Sequence, residues 1–140
     1  MRWLVAILLG FAISVGAQAA SIEARLIRAS NETEKRDEQL GKLEPKLKKV
    51  FGYQHYQQLG IQKAPLTEGE SLRLNLGEGI VMFITPKAVE KKGRVMNLEM
   101  YSGRAALVTS TVRVPHDREL LIKGPGVGNT LLVVTLVVVE

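Results

Sequence analysis

The apolar positions of this chain fall mostly into short alternating runs, the period-two pattern of half-buried strands. Ile22, Ala24 and Leu26 alternate with Glu23 and Arg25, which predicts a first strand over 21–29. Leu72, Leu74 and Leu76 alternate with Arg73 and Asn75, and Met96, Leu98 and Met100 alternate with Asn97 and Glu99. A long strand is expected over 104–114, with Ala106, Val108, Ser110, Val112 and Val114 on one face. Residues 53–61 carry β-formers at Tyr53, Tyr56 and Ile61, and Leu120, Leu121 and Ile122 predict a short strand. Turn residues separate these runs at roughly eight- to twelve-residue intervals, the spacing of an antiparallel β-sandwich or open barrel of about seven or eight strands.

Three stretches break the alternation. Residues 80–85 are apolar on both faces, and Pro86 either ends that strand or places its continuation at a sheet edge. Residues 130–140 hold eight Leu or Val in eleven positions, so this strand needs cover on two faces. The preceding 123–129 segment, rich in Gly and Pro, is expected to be a wide hairpin loop with glycines at positive φ. The third stretch is the one helical pattern. Leu40, Leu43, Leu47, Val50 and Phe51 recur at spacings of three and four; Pro45 fits either the first turn of a helix beginning near Leu43 or a kink in a longer one, and the favoured reading is a broken amphipathic helix over 38–51, ended by Gly52. That helix is the internal candidate to cover the second face of the terminal strand.

Residues 1–19 read as a signal peptide rather than as part of the fold. Arg2 is a short positive region, 4–16 is uncharged and mostly apolar, and Ala17, Gln18 and Ala19 form a small-residue cleavage site. The apolar segment is shorter than the roughly 20 residues of a comfortable membrane span. Export to the periplasm or the outside of a Gram-negative bacterium is therefore expected, leaving residues 20–140 as one β-rich domain with no integral membrane span. Loss of Arg2 lowers the net charge from +5 to +4, too mild an excess for a nucleic-acid partner. The chain has no Cys, so its core must hold without disulfides.

The inventory for acid–base chemistry is thin: two His and two Asp in the whole chain. His116 and Asp117 lie in a Pro-His-Asp-Arg run that reads as a turn, and no Ser sits in a nucleophile-elbow context. Two His without Cys rarely make a metal site. The glycines at 124, 126 and 128 open a β-run, not a helix, so they do not read as a phosphate loop. Glu68, Glu70 and Glu78 beside glycines are a weak signal for paired carboxylates. No catalytic, cofactor-binding or metal residue is assigned. The one candidate ligand or partner surface combines Tyr53, His55 and Tyr56 with Lys46 and Lys49 of the helix; stacking Tyr and outward Lys suit a glycan or an anionic group.

Leu43, Pro45 and Leu47, with Phe51, Gly52, Tyr53, Tyr56, Leu59 and Gly60 and a strand-rich half after them, resemble a group of small predicted exported bacterial proteins without assigned activity. The run 112–125, followed by an apolar strand, is similar to the last hairpins of the secretin core of outer-membrane secretion channels. Neither resemblance brings catalytic residues; both imply the cell envelope. The function expected is a non-enzymatic envelope protein that binds another envelope protein, or itself, through an apolar sheet face or edge. A glycan- or anion-binding module is the second expectation and a small hydrolase the third.

Overall fold

The computed structural model describes residues 20–32 and 37–140. The signal-peptide expectation for 1–19 lies outside the described residues. Eight strands form two four-stranded antiparallel sheets. The first sheet has the order β2 (His55–Pro65), β1 (Ser21–Ser30), β8 (Thr130–Val139), β7 (Leu120–Val127). The second is a meander of β3 (Leu72–Gly77), β4 (Ile80–Glu90), β5 (Gly93–Ser102) and β6 (Ala105–Val114). The sheets face each other in a sandwich.

Alternation builds the core. Ile22, Ala24 and Leu26 of β1 and Leu132, Val134, Leu136 and Val138 of β8 point inward. They meet Leu74, Leu76, Ile80, Met82, Ile84, Met96, Leu98, Met100 and Val114 of the second sheet. Each such side chain contributes about 1.5–3 kcal/mol when fully buried.

The outer face of the first sheet carries a second, smaller cluster. Direct pairing of Ile27 with Val133 and of Ala29 with Leu131 makes a four-residue apolar patch. Leu40, Leu43 and Leu47 lie over it with Tyr56. The broken helix expected over 38–51 is two pieces: a 3-10 turn, Glu38–Leu40, and α1, Leu43–Phe51, with Pro45 in the first turn of α1. Gly41, at φ +48°, separates them. Pro45 explains the break. It has no N–H to bond back to residue 41, and only in the first turn of a helix is that donor unneeded. Gly52 ends α1 in the left-handed conformation, its N–H donating to the Lys48 carbonyl at 3.0 Å. The buried face takes in Leu43, Glu44 and Leu47, which turns Val50 out to 59% exposure, against its expected place on the stripe.

Two strand boundaries, those of β2 and β7, differ from expectation, and β4 follows the second of the two readings of Pro86. β2 starts at His55 and runs on to Pro65. β4 continues through Pro86 to Glu90. Its pairing with β3 stops at Ile84, so Pro86 lies where one side of β4 has no ladder and its missing N–H is not needed. The wide loop expected over 123–129 is instead mostly strand. β7 reaches Val127 with a register shift between Lys123 and Gly126, and the turn shrinks to Gly128 and Asn129. A Cβ at Gly124 would lie 2.7 Å from the Leu132 carbonyl oxygen, so glycine lets the bulged strand stay against β8. On β4, Val81 and Phe83 are half-buried on the outer face, where Phe83 meets Tyr101 edge-on at 5.9 Å.

Two variants test this account. Leu47→Ala removes a fully buried side chain between α1 and the sheet and is expected to cost about 2–5 kcal/mol, read from urea unfolding; a loss well under 1 kcal/mol would mean that α1 is not needed as cover. Glu78 holds φ +52° in the two-residue β3–β4 turn. Glu78→Asn suits that conformation and is expected to raise stability by about 0.5–1 kcal/mol; an unchanged or lowered midpoint would contradict the strain.

Candidate functional site

Four strands lie at sheet edges: β2 and β7 in the first sheet, β3 and β6 in the second. An edge presents unpaired N–H and C=O groups, and proteins blunt edges with charge, Pro, bulges or short length. β2 carries Lys63 and Pro65. β3 is six residues long and carries Arg73. β7 has Lys123, Pro125 and a bulge. β6 has no charge and no Pro in its first eight residues, Ala105 through Val112, and its one bulge, at Leu107, is followed by a regular run from Val108. Its only charge is Arg113, held by Glu90 at 2.6 Å.

Packing leaves β6 open. At the opposite side the sandwich is closed by β2 against β3: a Cβ at Gly60 would lie 2.6 Å from the Leu76 carbonyl oxygen. β6 and β7 approach less closely. Leu107, Val108 and Val112 of β6, with Leu120 and Ile122 of β7, are only partly buried at that mouth. Ser110 lies between Val108 and Val112 on the inward face, yet it is exposed. Thr109 and Thr111 face outward, and the Thr111 hydroxyl bonds the Asn97 side chain at 3.0 Å.

A second feature is a polar cleft of about 350 Å³ on the outer face of the first sheet, beside the turn that precedes α1. Its floor is the continuation of the β1/β8 pair, where Glu23 faces Val137 and Arg25 faces Thr135. Glu23 accepts from Arg25 at 2.8 Å and pairs with Lys63 at 3.2 Å. Glu119 pairs with Lys46 at 2.8 Å. Burial pushes both carboxyls up, but the hydrogen bonds and charges of their partners outweigh it and hold both below the ordinary glutamate range. Carboxylates held ionised by paired cations suit a fixed ionic network better than proton delivery.

The residues singled out from the sequence do not share one open surface. Tyr56 is buried, and its hydroxyl donates to the Leu47 carbonyl at 2.9 Å while accepting from the Tyr53 N–H at 3.2 Å. It ties α1 to β2 and offers no stacking face; its phenol is pushed up, chiefly by burial. Tyr53 is half-buried and borders a shallow hollow with Asn31, Glu32, Gly128 and Asn129. His55 is half-buried at the start of β2, opposite Ser30. Lys46 is taken by Glu119, and Lys49 is exposed on α1. His116 stands 2.7 Å from the Glu90 carbonyl and 3.7 Å from the Glu140 carboxylate, which Arg94 also holds at 3.0 Å. Among the described residues no three His, Asp or Glu side chains cluster as a metal site, and no helix is long and apolar enough to cross a membrane.

Sequence reasoning missed both the edge and the cleft. The uncharged run 105–112 was the available signal for the edge. Glu23 and Glu119 are too far apart in sequence to suggest one cleft.

The ionic network carries a pH dependence. As the pH falls, the unfolded chain protonates at the ordinary glutamate pKa before the folded chain does. The stabilisation is therefore complete above about pH 5 and is lost as the pH drops through the lower folded values. Glu23→Gln is expected to flatten the slope of melting temperature between about pH 5 and pH 3; a slope identical to that of the parent would remove Glu23 from the network. No protein-family model, curated protein or solved structure matches the chain.

Proposed function

We propose that this chain is a non-enzymatic exported protein of the bacterial cell envelope, an interaction or accessory module that binds another protein chain through the β6 edge. The observation that carries this reading is β6 itself: ten residues at a sheet edge, uncharged over the first eight, beside half-buried apolar side chains. An extended partner strand placed there gains main-chain hydrogen bonds and adds side chains to the mouth between the sheets. The signal-like pattern of residues 1–19 and the local resemblance to secretin hairpins support an envelope setting. The glycan or anionic-ligand reading has less behind it, because the Tyr56 hydroxyl is spent on α1 and Lys46 on Glu119.

The test is a photo-crosslinking residue placed at Thr109 in the full chain, expressed in a Gram-negative host and irradiated before fractionation. A discrete protein adduct in the envelope fraction is expected, on a chain shortened to residues 20–140. The same probe at Lys92, on the β4–β5 turn, should give none. An uncleaved cytosolic chain would overturn export, and equal labelling at both positions or none at Thr109 would overturn the β6 surface.

A further inference from the structure

We propose that the partner at this edge is a second copy of the chain, with two β6 strands paired antiparallel about a two-fold axis through Ser110. The inference rests on the interaction reading above and names its partner. What carries it is a symmetry in the strand. Val108, Thr109, Ser110, Thr111 and Val112 read the same in both directions.

A closed two-fold contact needs a surface complementary to itself. An antiparallel pair centred on Ser110 meets that demand residue by residue. Ser110 faces Ser110 of the second copy, Thr109 faces Thr111, and Val108 faces Val112. Cross-strand pairs of β-branched residues are favourable. No like charges oppose each other across the regular run from Val108 to Val112, which carries no charge.

The faces match as well as the sequence. Side chains alternate with a period of two, so this register carries the inward row of Val108, Ser110 and Val112 onto the inward row of the second copy. The half-buried valines at each mouth then gain apolar neighbours. The outward row of Thr109 and Thr111 continues likewise. The two meanders β3 to β6 become one eight-stranded sheet. Each copy spends its uncharged β6 edge once, so the assembly closes as a dimer instead of growing into a fibre.

The absence of Cys from the chain makes the geometry directly testable in the full exported protein. Sedimentation equilibrium across the micromolar range is expected to show a dimer. Ser110→Cys puts two thiols on the axis, with Cβ atoms about 4.5–5.5 Å apart, and mild oxidation should link the copies. Ala105→Cys, four ladder steps from the axis because of the bulge at Leu107, would sit about 27 Å from its mate, at roughly 3.4 Å per step, and should stay unlinked. Ser110→Lys opposes two ammonium groups and should weaken dimerisation about tenfold or more. Ser110→Glu alone should do the same, and an equimolar mixture of the two should restore the dimer, which a misfolded variant could not.

A wild-type chain that is monomeric throughout overturns the proposal. So does equal linking of the two Cys variants, or a dimer that both charge variants leave intact. The broader reading fails separately: a monomer whose Thr109 probe still captures a different envelope protein defeats only the self-pairing. A Thr109 adduct at twice the chain mass supports both.

Discussion

The structure depends on the pairing of β1 with β8. These strands meet in register from Ser21 with Val139 to Ala29 with Leu131, and they form the centre of the first sheet. Over most of its length β8 has no polar face to give to water. One side of the pair is satisfied by the second sheet. The other side needs its own cover, and α1 supplies it over Ile27, Ala29, Leu131 and Val133. A nine-residue helix is too short to be stable alone, so α1 owes its existence to the patch as much as the patch owes its burial to α1. The Tyr56 hydroxyl, bonded to the Leu47 carbonyl, couples the two.

Where α1 stops, the same face changes character. Glu23, Arg25 and Thr135 replace the aliphatic patch, and Lys63, Gln39 and Gln58 complete the polar network around them. Arg25 reaches across to the turn before α1, at the Gln39 carbonyl 3.4 Å away, and to the Gln58 side chain of β2 at 3.3 Å. The outer face is thus sealed by hydrophobic cover at one end and by ion pairs at the other. At the far side of the sandwich, Leu107, Val108 and Val112 of β6 stay half-buried. The second sheet ends at β6 in an edge that is uncharged from Ala105 to Val112.

The strands of the sandwich were legible because burial on one face writes itself as alternation. Leu74, Leu76, Met96, Leu98 and Met100 could be assigned to the core from spacing alone, and the structure buries all five. The Gly-rich stretch before β8 was not legible. Glycine and proline signal a turn locally, but an edge strand with a bulge tolerates both, and only the neighbouring strand shows that β7 is such an edge. Tyr56 misled for a related reason. An amphipathic ring suits a binding surface and a buried brace equally, and the carbonyl it bonds belongs to another element.

By itself, the sequence determined the local period of each segment: β over most of the chain, a short helical stripe, and a terminal run that demands cover twice. It also carried the palindrome around Ser110 and the lack of charge across 105–112. Tertiary structure alone decided which strands became edges, which face α1 covered and which carboxylates met which cations. Those outcomes depend on pairings between residues far apart in the chain, such as Glu23 with Lys63 and Lys46 with Glu119. A period records whether a side chain is buried; it does not record what buries it.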